Sequence, residues 1–217
     1  MFSAAQAWPA KPIKLIVPFP PGGATDVLAR TLAEKLPLKL GQPVIVENKP
    51  GAATVIGVTA VTKSAPDGYT VLVSAGSSFV VLPALKANLA YDVEKDLAPI
   101  NLSVTTPLVI VTSAAQPFTR LSDLIMQAKA RPKLLRYTSY GAGTTPHLAT
   151  ELFAAAAKID VQAVPYKGSS DAVLALLRGE VEFGLETIVA ALPHIKAGKL
   201  KALAVTMPTR SQYLPDV

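Results

Sequence analysis

The chain contains the stretch Lys14-Leu15-Ile16-Val17-Pro18-Phe19-Pro20-Pro21-Gly22-Gly23-Ala24-Thr25-Asp26. A second stretch of the same order is Leu135-Arg136-Tyr137-Thr138-Ser139-Tyr140-Gly141-Ala142-Gly143-Thr144-Thr145-Pro146-His147. Each predicts a buried strand, a glycine turn and the start of a helix. Glycines allow a turn to bring backbone N–H groups close to a ligand, and a helix start favours negative charge. The two turns therefore predict a cleft that binds an anion from both sides.

Strand and helix patterns alternate along the rest of the chain. Strands are predicted at 13–17, 44–46, 70–74, 107–112, 134–138, 161–164, 181–185 and 200–205. Helices are predicted at 26–40, 52–63, 121–130, 144–157, 170–177 and 188–197. This alternation is typical of largely parallel sheets with helices on both faces. The expected fold class is therefore α/β.

The alternation loosens between Pro83 and Pro107, and we expect the boundary between two lobes there. Lobe 1 is expected at residues 8–102 and lobe 2 at 103–206, with 207–217 as the start of a return segment to lobe 1. Ligands of such sheets bind beyond the carboxyl ends of the strands. Both glycine turns are predicted at such ends.

Composition excludes several classes of function. Half of the 217 residues are hydrophobic, but no apolar run approaches the length of about 18 residues that a membrane helix needs. The net charge of +6 favours anionic partners. Its basic residues are scattered and not interleaved with aromatic residues, which disfavours nucleic-acid binding. The absence of cysteine excludes thiolate catalysis, disulfides and cysteine-ligated metals.

The first seven residues end in Ala5-Gln6-Ala7, a small-residue pattern after which a signal peptidase cleaves. We interpret residues 1–7 as the remnant of an export signal, although a frayed alanine-rich terminus fits the same residues.

Several single residues have both a functional and a structural interpretation. Hydroxyls at Ser139, Thr144 and Thr145 fit a small carboxylate, whereas a lone G-x-G is weak support for a dinucleotide. His147 and Glu151 share a helix face, but no carboxylate triplet accompanies them, so a metal site is disfavoured.

Two charged residues near the ends of predicted strands, Glu186 and Lys167, each have two possible roles. Glu186 either accepts a ligand amine or caps the next helix. Lys167 either pairs with a carboxylate at the cleft or is a solvated loop lysine.

Ordered motifs continue through nearly all of the chain after Trp8. They include Leu40-Gly41-Gln42-Pro43-Val44, Val46-Glu47-Asn48-Lys49-Pro50-Gly51-Ala52, Ala65-Pro66-Asp67-Gly68-Tyr69-Thr70, Val164-Pro165-Tyr166-Lys167-Gly168 and Leu192-Pro193-His194-Ile195. Together with the segment 12–23, they closely resemble the Bug-type substrate-binding proteins of tripartite tricarboxylate transporters.

The resemblance implies a fold like that of type II periplasmic binding proteins, with a cleft between the lobes. It also implies a periplasmic, monomeric protein without catalytic residues, metal, cofactor or nucleic-acid partner. Such a protein captures a small carboxylate (a di- or tricarboxylate, an aromatic carboxylate or an amino acid) by lobe closure and delivers it to permease subunits in the membrane.

Ligand-binding positions are carried over from the resemblance to matching residues. In lobe 1 these are Phe19, Pro21, Gly22, Gly23, Ala24, Thr25, Asp26, Ser74, Gly76, Ser77 and Ser78. In lobe 2 they are Ser139, Gly141, Gly143, Thr144, Thr145 and Glu186. Backbone N–H groups at 22–24 and 143–145 are expected to bind the carboxylates, while the hydroxyls adjust selectivity.

Three features depart from the family pattern. The segment Gly51-Ala52-Ala53-Thr54 lacks the paired glycines that are usual in the family at this place, and Lys49 just before it replaces the usual arginine. Glu186 stands where aspartate is common. The chain stops at Leu214-Pro215-Asp216-Val217, inside a motif after which family members continue, so we expect a C-terminally incomplete fold.

Two alternatives stay open on the residues alone. One is an α/β enzyme that binds a nucleotide through the turn at 20–23, with Glu47 on a ribose. The other is a docking module whose cleft binds nothing.

Overall fold

The structure, a computed structural model, describes residues 8–217, so the expected export-signal remnant lies outside the described part. The strands are β1 Ile13–Val17, β2 Val44–Asn48, β3 Thr70–Leu72, β4 Leu108–Ser113, β5 Arg136–Ser139, β6 Gln162–Pro165, β7 Phe183–Thr187 and β8 Leu200–Val205. The α-helices are α1 Ala24–Lys35, α2 Pro37–Leu40, α3 Val55–Thr62, α4 Leu82–Leu85, α5 Val93–Asp96, α6 Leu121–Ala130, α7 Thr145–Ala157, α8 Ser169–Leu177 and α9 Ile188–Lys196. A 3₁₀ turn at Ala52–Thr54 precedes α3, and a π-helical turn at Ser77–Val81 precedes α4.

The first sheet is fully parallel and has the strand order β2-β1-β3. Its central strand is the apolar run of the first glycine segment, and Ile13, Leu15 and Val17 pack with Ala29 of α1. We call the elements around this sheet lobe 1. The first glycine turn therefore projects from the carboxyl end of the central strand, as expected for a ligand site.

The second sheet has the order β6-β5-β7-β4-β8. Strands β5, β6 and β7 pair in parallel, whereas β4 runs antiparallel to both of its neighbours, β7 and β8. The sheets are thus mostly parallel, with β4 as the exception. We call the elements around this sheet lobe 2.

Alternation along β4 gives lobe 2 a core on each face of its sheet. Leu108 and Ile110 pack with residues of α6 and α7, whereas Val109 and Val111 pack with residues of α8 and α9. Successive side chains of a strand point to opposite faces. Burial on both faces explains why the first four residues of this strand, Leu108 to Val111, are all apolar.

The sequence prediction differs from the structure in several segments, among them 26–40 and 83–107. The predicted helix at 26–40 begins earlier, at Ala24, and is divided into α1 and α2 at Pro37, which lacks the N–H group that a continuous helix requires. The segment from Pro83 to Pro107, expected to be irregular, contains the short helix α5. The carboxylate of Asp92 caps this helix by accepting from the N–H groups of Glu94 and Lys95.

Residues 97–107 connect the two sheets without regular secondary structure. The segment 207–217 follows β8, and its Leu214 is buried in the α8 and α9 side of the lobe 2 core. Within residues 8–217, no helix combines the length and the apolar character needed to cross a membrane.

Candidate functional site

The two lobes contact each other at both glycine turns. At the first turn, the Ser170 hydroxyl donates to the carbonyl of Pro21 at 2.6 Å. At the second, the Thr145 N–H donates to Oγ of Ser77 at 2.9 Å, and the two hydroxyls lie 3.1 Å apart. Each turn therefore lies at the boundary between the lobes. The first turn contacts Ser170 of lobe 2, and the second contacts Ser77 of lobe 1.

A groove of about 570 Å³ runs along this boundary. Lobe 1 lines it with Pro18, Phe19 and the loop of residues 51–54. Lobe 2 contributes residues from the ends of β5 and β6 and from α8 and the loop that follows it: Tyr140, Gly141, Pro165, Tyr166, Lys167, Asp171, Leu174, Ala175, Arg178 and Glu180. Phe19 and Gly141 show that both glycine turns border the same groove.

A buried carboxylate, that of Asp26, organises the first glycine turn. Its Oδ2 accepts from the Gly22 N–H at 2.9 Å and from Nε of Arg30 at 2.8 Å, while Oδ1 accepts from Nδ2 of Asn48 at 2.8 Å. The same Asn48 amide donates to the carbonyl of Phe19 at 3.0 Å. Gly22 has a φ of 88°, a conformation that suits glycine. The N–H of Gly22 is thus engaged within lobe 1.

Burial and hydrogen bonding have opposite effects on the pKa of Asp26. Burial alone would raise the pKa of Asp26, but the hydrogen bonds from Arg30, Gly22 and Asn48 lower it below its ordinary value. Asp26 is therefore ionised and has a structural role in the turn. The signals in the sequence are its spacing of four residues from Arg30 and its place in the first turn of α1.

Asn48→Ala is expected to lower the free energy of unfolding by about 1–2 kcal/mol, because it removes three hydrogen bonds, two of them with the charged groups of Asp26 and Arg30. Urea denaturation of the variant measures this change. Asn88, an exposed asparagine of lobe 1, gives the control Asn88→Ala, for which we expect no more than about 0.5 kcal/mol. Equal stability of both variants would contradict the role of Asn48.

The second glycine turn is stabilised by its own hydroxyls. Oγ of Ser139 accepts from the Gly141 N–H at 3.1 Å, and the Thr144 hydroxyl donates to the Gly141 carbonyl at 2.8 Å. Gly143 has a φ of 86°, and an added Cβ there would lie 2.8 Å from Leu82 of lobe 1. Ser139 and Thr144 are buried, so their hydroxyls support the turn rather than border the groove.

Glu186 is fully buried beneath the lobe 2 side of the boundary. It accepts from the hydroxyls of Thr138 at 2.7 Å and Ser169 at 2.8 Å, and also from the hydroxyl of Tyr140. Burial raises the pKa of Glu186 to about 7, although the three hydrogen bonds act in the opposite direction. Burial and the Glu186 charge also raise the pKa of Tyr140. The Tyr140 hydroxyl therefore stays protonated and donates a hydrogen bond to Glu186.

The expected site residues fall into three groups. Phe19 and Gly141 line the groove, as does Lys167. Asp26, Ser78, Ser139, Thr144 and Glu186 are buried and bonded to neighbouring groups. The remaining residues lie at the turns or beside the lobe boundary: Pro21, Gly22, Gly23, Ala24, Thr25, Ser74, Gly76, Ser77, Gly143 and Thr145.

Sequence reasoning missed several residues that the structure brings to this region. Asn48 reaches the first turn from the end of β2, and Ser169 and Ser170 begin α8 opposite that turn. Thr54 and Tyr140 line the groove. Asn48 and Tyr140 closely follow predicted strands, whereas the others carry no such signal, because their contacts join residues distant along the chain.

Residues 8–217 contain no group of three His, Asp or Glu side chains placed to bind a metal. Glu151, the partner considered for His147, accepts instead from the Tyr137 hydroxyl. Glu47, considered for contact with a ribose, forms an ion pair with Lys49, with 2.9 Å between its Oε1 and Nζ of Lys49.

The chain is similar to known proteins over most of its length. A family model described as "Tripartite tricarboxylate transporter family receptor" matches residues 28–217. Protein BugT of Bordetella pertussis is 45% identical over 215 residues, which cover 99% of this chain and 66% of BugT. The chain thus spans about two thirds of the length of that relative.

Solved structures with the same fold are similar over nearly the whole chain. One, titled as a periplasmic transporter, has a TM-score of 0.93 and 37% identity over 97% of this chain and 71% of its own. MatC from Rhodopseudomonas palustris, solved with bound malate, has a TM-score of 0.91 and 31% identity over 97% of this chain and 71% of its own.

Proposed function

The chain belongs to the tripartite tricarboxylate transporter receptor family, and from this premise we propose that it is a periplasmic solute-binding protein for a small carboxylate. We further propose that it delivers this carboxylate to the permease subunits of a tripartite tricarboxylate transporter. The family and the solved relatives are solute-binding proteins and not enzymes, in agreement with the expectation from the sequence. The alternative of a nucleotide-binding enzyme is thereby rejected.

The observation that carries the proposal is the groove between the lobes, bordered by both glycine turns. Two helices, α1 and α8, begin at this boundary, and neither N-terminus receives a side-chain cap from residues 8–217. Helix N-termini favour anions through free N–H groups and the helix dipole. An anion near both would contact both lobes and would therefore favour their closed arrangement by its differential affinity.

The proposed class of ligand is a small carboxylate, with a dicarboxylate as the first candidate. The solved relative with bound malate supports this choice. In this chain, Lys167 and Arg178 border the groove and give a second carboxylate two cationic side chains to approach. Asp171 and Glu180 line the same side of the groove and would repel a ligand with several negative charges, which favours a ligand with few carboxylates.

Thermal unfolding with a panel of small molecules tests the proposal. Malate, adipate, benzoate, glutamate and AMP are each added, and calorimetric titration follows for every compound that raises Tm. At 100-fold excess over its Kd, a ligand stabilises by about 2.7 kcal/mol, so a carboxylate that binds should raise Tm by about 5–10 °C.

The dimethyl ester of malate and the diamide of adipate serve as controls, because they retain the carbon skeleton but lack the charges. They are expected to leave Tm unchanged. A panel in which no carboxylate binds, or in which AMP alone binds, would overturn the proposed function.

A further inference from the structure

Three hydroxyls of lobe 1 form a chain of hydrogen bonds that ends at the groove. Oγ of Ser74 and Oγ of Ser78 lie 2.6 Å apart, and the Ser78 hydroxyl donates to Oγ1 of Thr54 at 2.8 Å. Ser78 is fully buried, and Thr54 is 3% exposed. Thr54 is the member of the chain that lines the groove.

The direction of these hydrogen bonds follows from counting protons. A serine or threonine hydroxyl has one proton to donate. Ser78 gives its proton to Thr54, so Ser74 must be the donor to Ser78. Thr54 then accepts at its oxygen, and its own proton has no acceptor among residues 8–217. The chain of hydroxyls therefore ends in a donor on a residue that lines the groove.

The backbone at Thr54 is strained in a way that needs an explanation. Ala52, Ala53 and Thr54 have φ values of 47°, 52° and 89°, a left-handed conformation that is unfavourable for residues with a Cβ. Strain of this kind persists only where the surrounding structure enforces it, and it is concentrated at functional sites. Here it places Ala53 against Gly141 of lobe 2, where an added Cβ on Gly141 would lie 3.4 Å from the Ala53 Cβ.

We propose that Thr54 is a ligand-binding and specificity-determining residue, whose hydroxyl donates a hydrogen bond to a carboxylate oxygen of the bound solute. This inference rests on the proposed function and adds a lobe 1 contact outside both glycine turns. Donation from Ser78 polarises the Thr54 hydroxyl and makes it a better donor. A carboxylate only accepts hydrogen bonds, so it complements this end of the chain of hydroxyls.

Four variants test the inference by calorimetric titration with each carboxylate of the panel. Thr54→Val removes the hydroxyl and preserves the side-chain shape, and Thr54→Ala removes it with less crowding at the left-handed position. Because a hydrogen bond to a charged group contributes about 1.5–3 kcal/mol, both are expected to raise Kd about 10- to 100-fold. Thr54→Ser keeps the donor and is expected to stay within about threefold of wild type.

Thr59→Val is the matched control. Its hydroxyl is buried in α3 and has no hydrogen-bond partner among residues 8–217, and Thr59 does not line the groove. The same loss of a hydroxyl should leave Kd unchanged there. Urea denaturation of every variant verifies that the fold is retained.

The outcomes separate the inference from the proposed function. If wild type binds a carboxylate and both Thr54→Val and Thr54→Ala retain wild-type Kd, the role of Thr54 is wrong and the proposed function stands. If Thr54→Ser loses as much affinity as Thr54→Val, the side-chain shape matters rather than the donor, and the inference is again wrong. If wild type binds no carboxylate, both fail together.

Discussion

Gly168→Ala is expected to raise the Kd for the tightest-binding carboxylate of the panel about 10- to 100-fold and to leave each lobe folded. Gly168 precedes α8 with a φ of 170°, an extended conformation that alanine also adopts. A Cβ at this position would lie 2.5 Å from Cδ and 3.1 Å from Cγ of Pro20, across the lobe boundary. Overpacking of this kind costs about 1–3 kcal/mol, and about 1.4 kcal/mol corresponds to tenfold in Kd.

The substitution acts on the contact between the lobes and not on the interior of either. We therefore expect the free energy of unfolding of lobe 2 to change little, and the radius of gyration from small-angle scattering to increase. Gly23→Ala is the comparison variant: a Cβ there meets Ser169 at an ordinary 3.7 Å across the same boundary, so Kd should rise less than in Gly168→Ala. Equal affinities of Gly168→Ala and wild type would show that capture does not require this approach of the lobes.

The second large effect concerns pH. Between about pH 4.5 and 7, the free energy of unfolding is expected to fall as pH rises, because Glu186 has a pKa of about 7 in the folded chain against an ordinary 4.5. In that interval the folded state binds more protons than the unfolded state, so raising the pH favours unfolding. A pKa shift of this size corresponds to a change of about 3 kcal/mol in the free energy of unfolding.

Glu186→Gln is expected to remove most of this pH dependence, because an amide cannot ionise and still hydrogen-bonds to Thr138, Tyr140 and Ser169. Urea denaturation at several pH values between 4.5 and 8 measures the effect. Glu34→Gln, an exposed glutamate on α1 paired with Lys35, is the control and should retain the wild-type slope. The same slope in Glu186→Gln as in wild type would refute the assignment.

Periodicity predicted the α/β alternation because short β-branched runs alternate with helical patterns along the chain and turn residues mark many of their ends. It failed at α5, where four residues carry too little pattern and the capping by Asp92 is the only local signal. It also failed at Ala52–Thr54, which continues the helical pattern of α3 but is left-handed. The tertiary contacts of this loop override its local preference, and single-residue propensities do not report them.

The positions of the two glycine turns were predictable, because glycines between a strand pattern and a helix pattern indicate a tight turn. Their partners were not. Asn48 meets Asp26 and Ser169 meets Glu186 only after the sheets have formed, and nothing in the spacing of these residues along the chain marks them as neighbours. The sequence placed Asp26 and Glu186 among the candidate ligand-binding residues, and the structure shows that each carboxylate accepts hydrogen bonds from several protein groups.

The hydrogen bonds to Asp26 join the start of α1, the end of β2 and the turn after β1 into one unit. The entropy of ordering that loop is consequently lost during folding instead of during solute capture. Preorganisation of this kind strengthens association without any additional contact. It also makes this part of lobe 1 a rigid template for the solute.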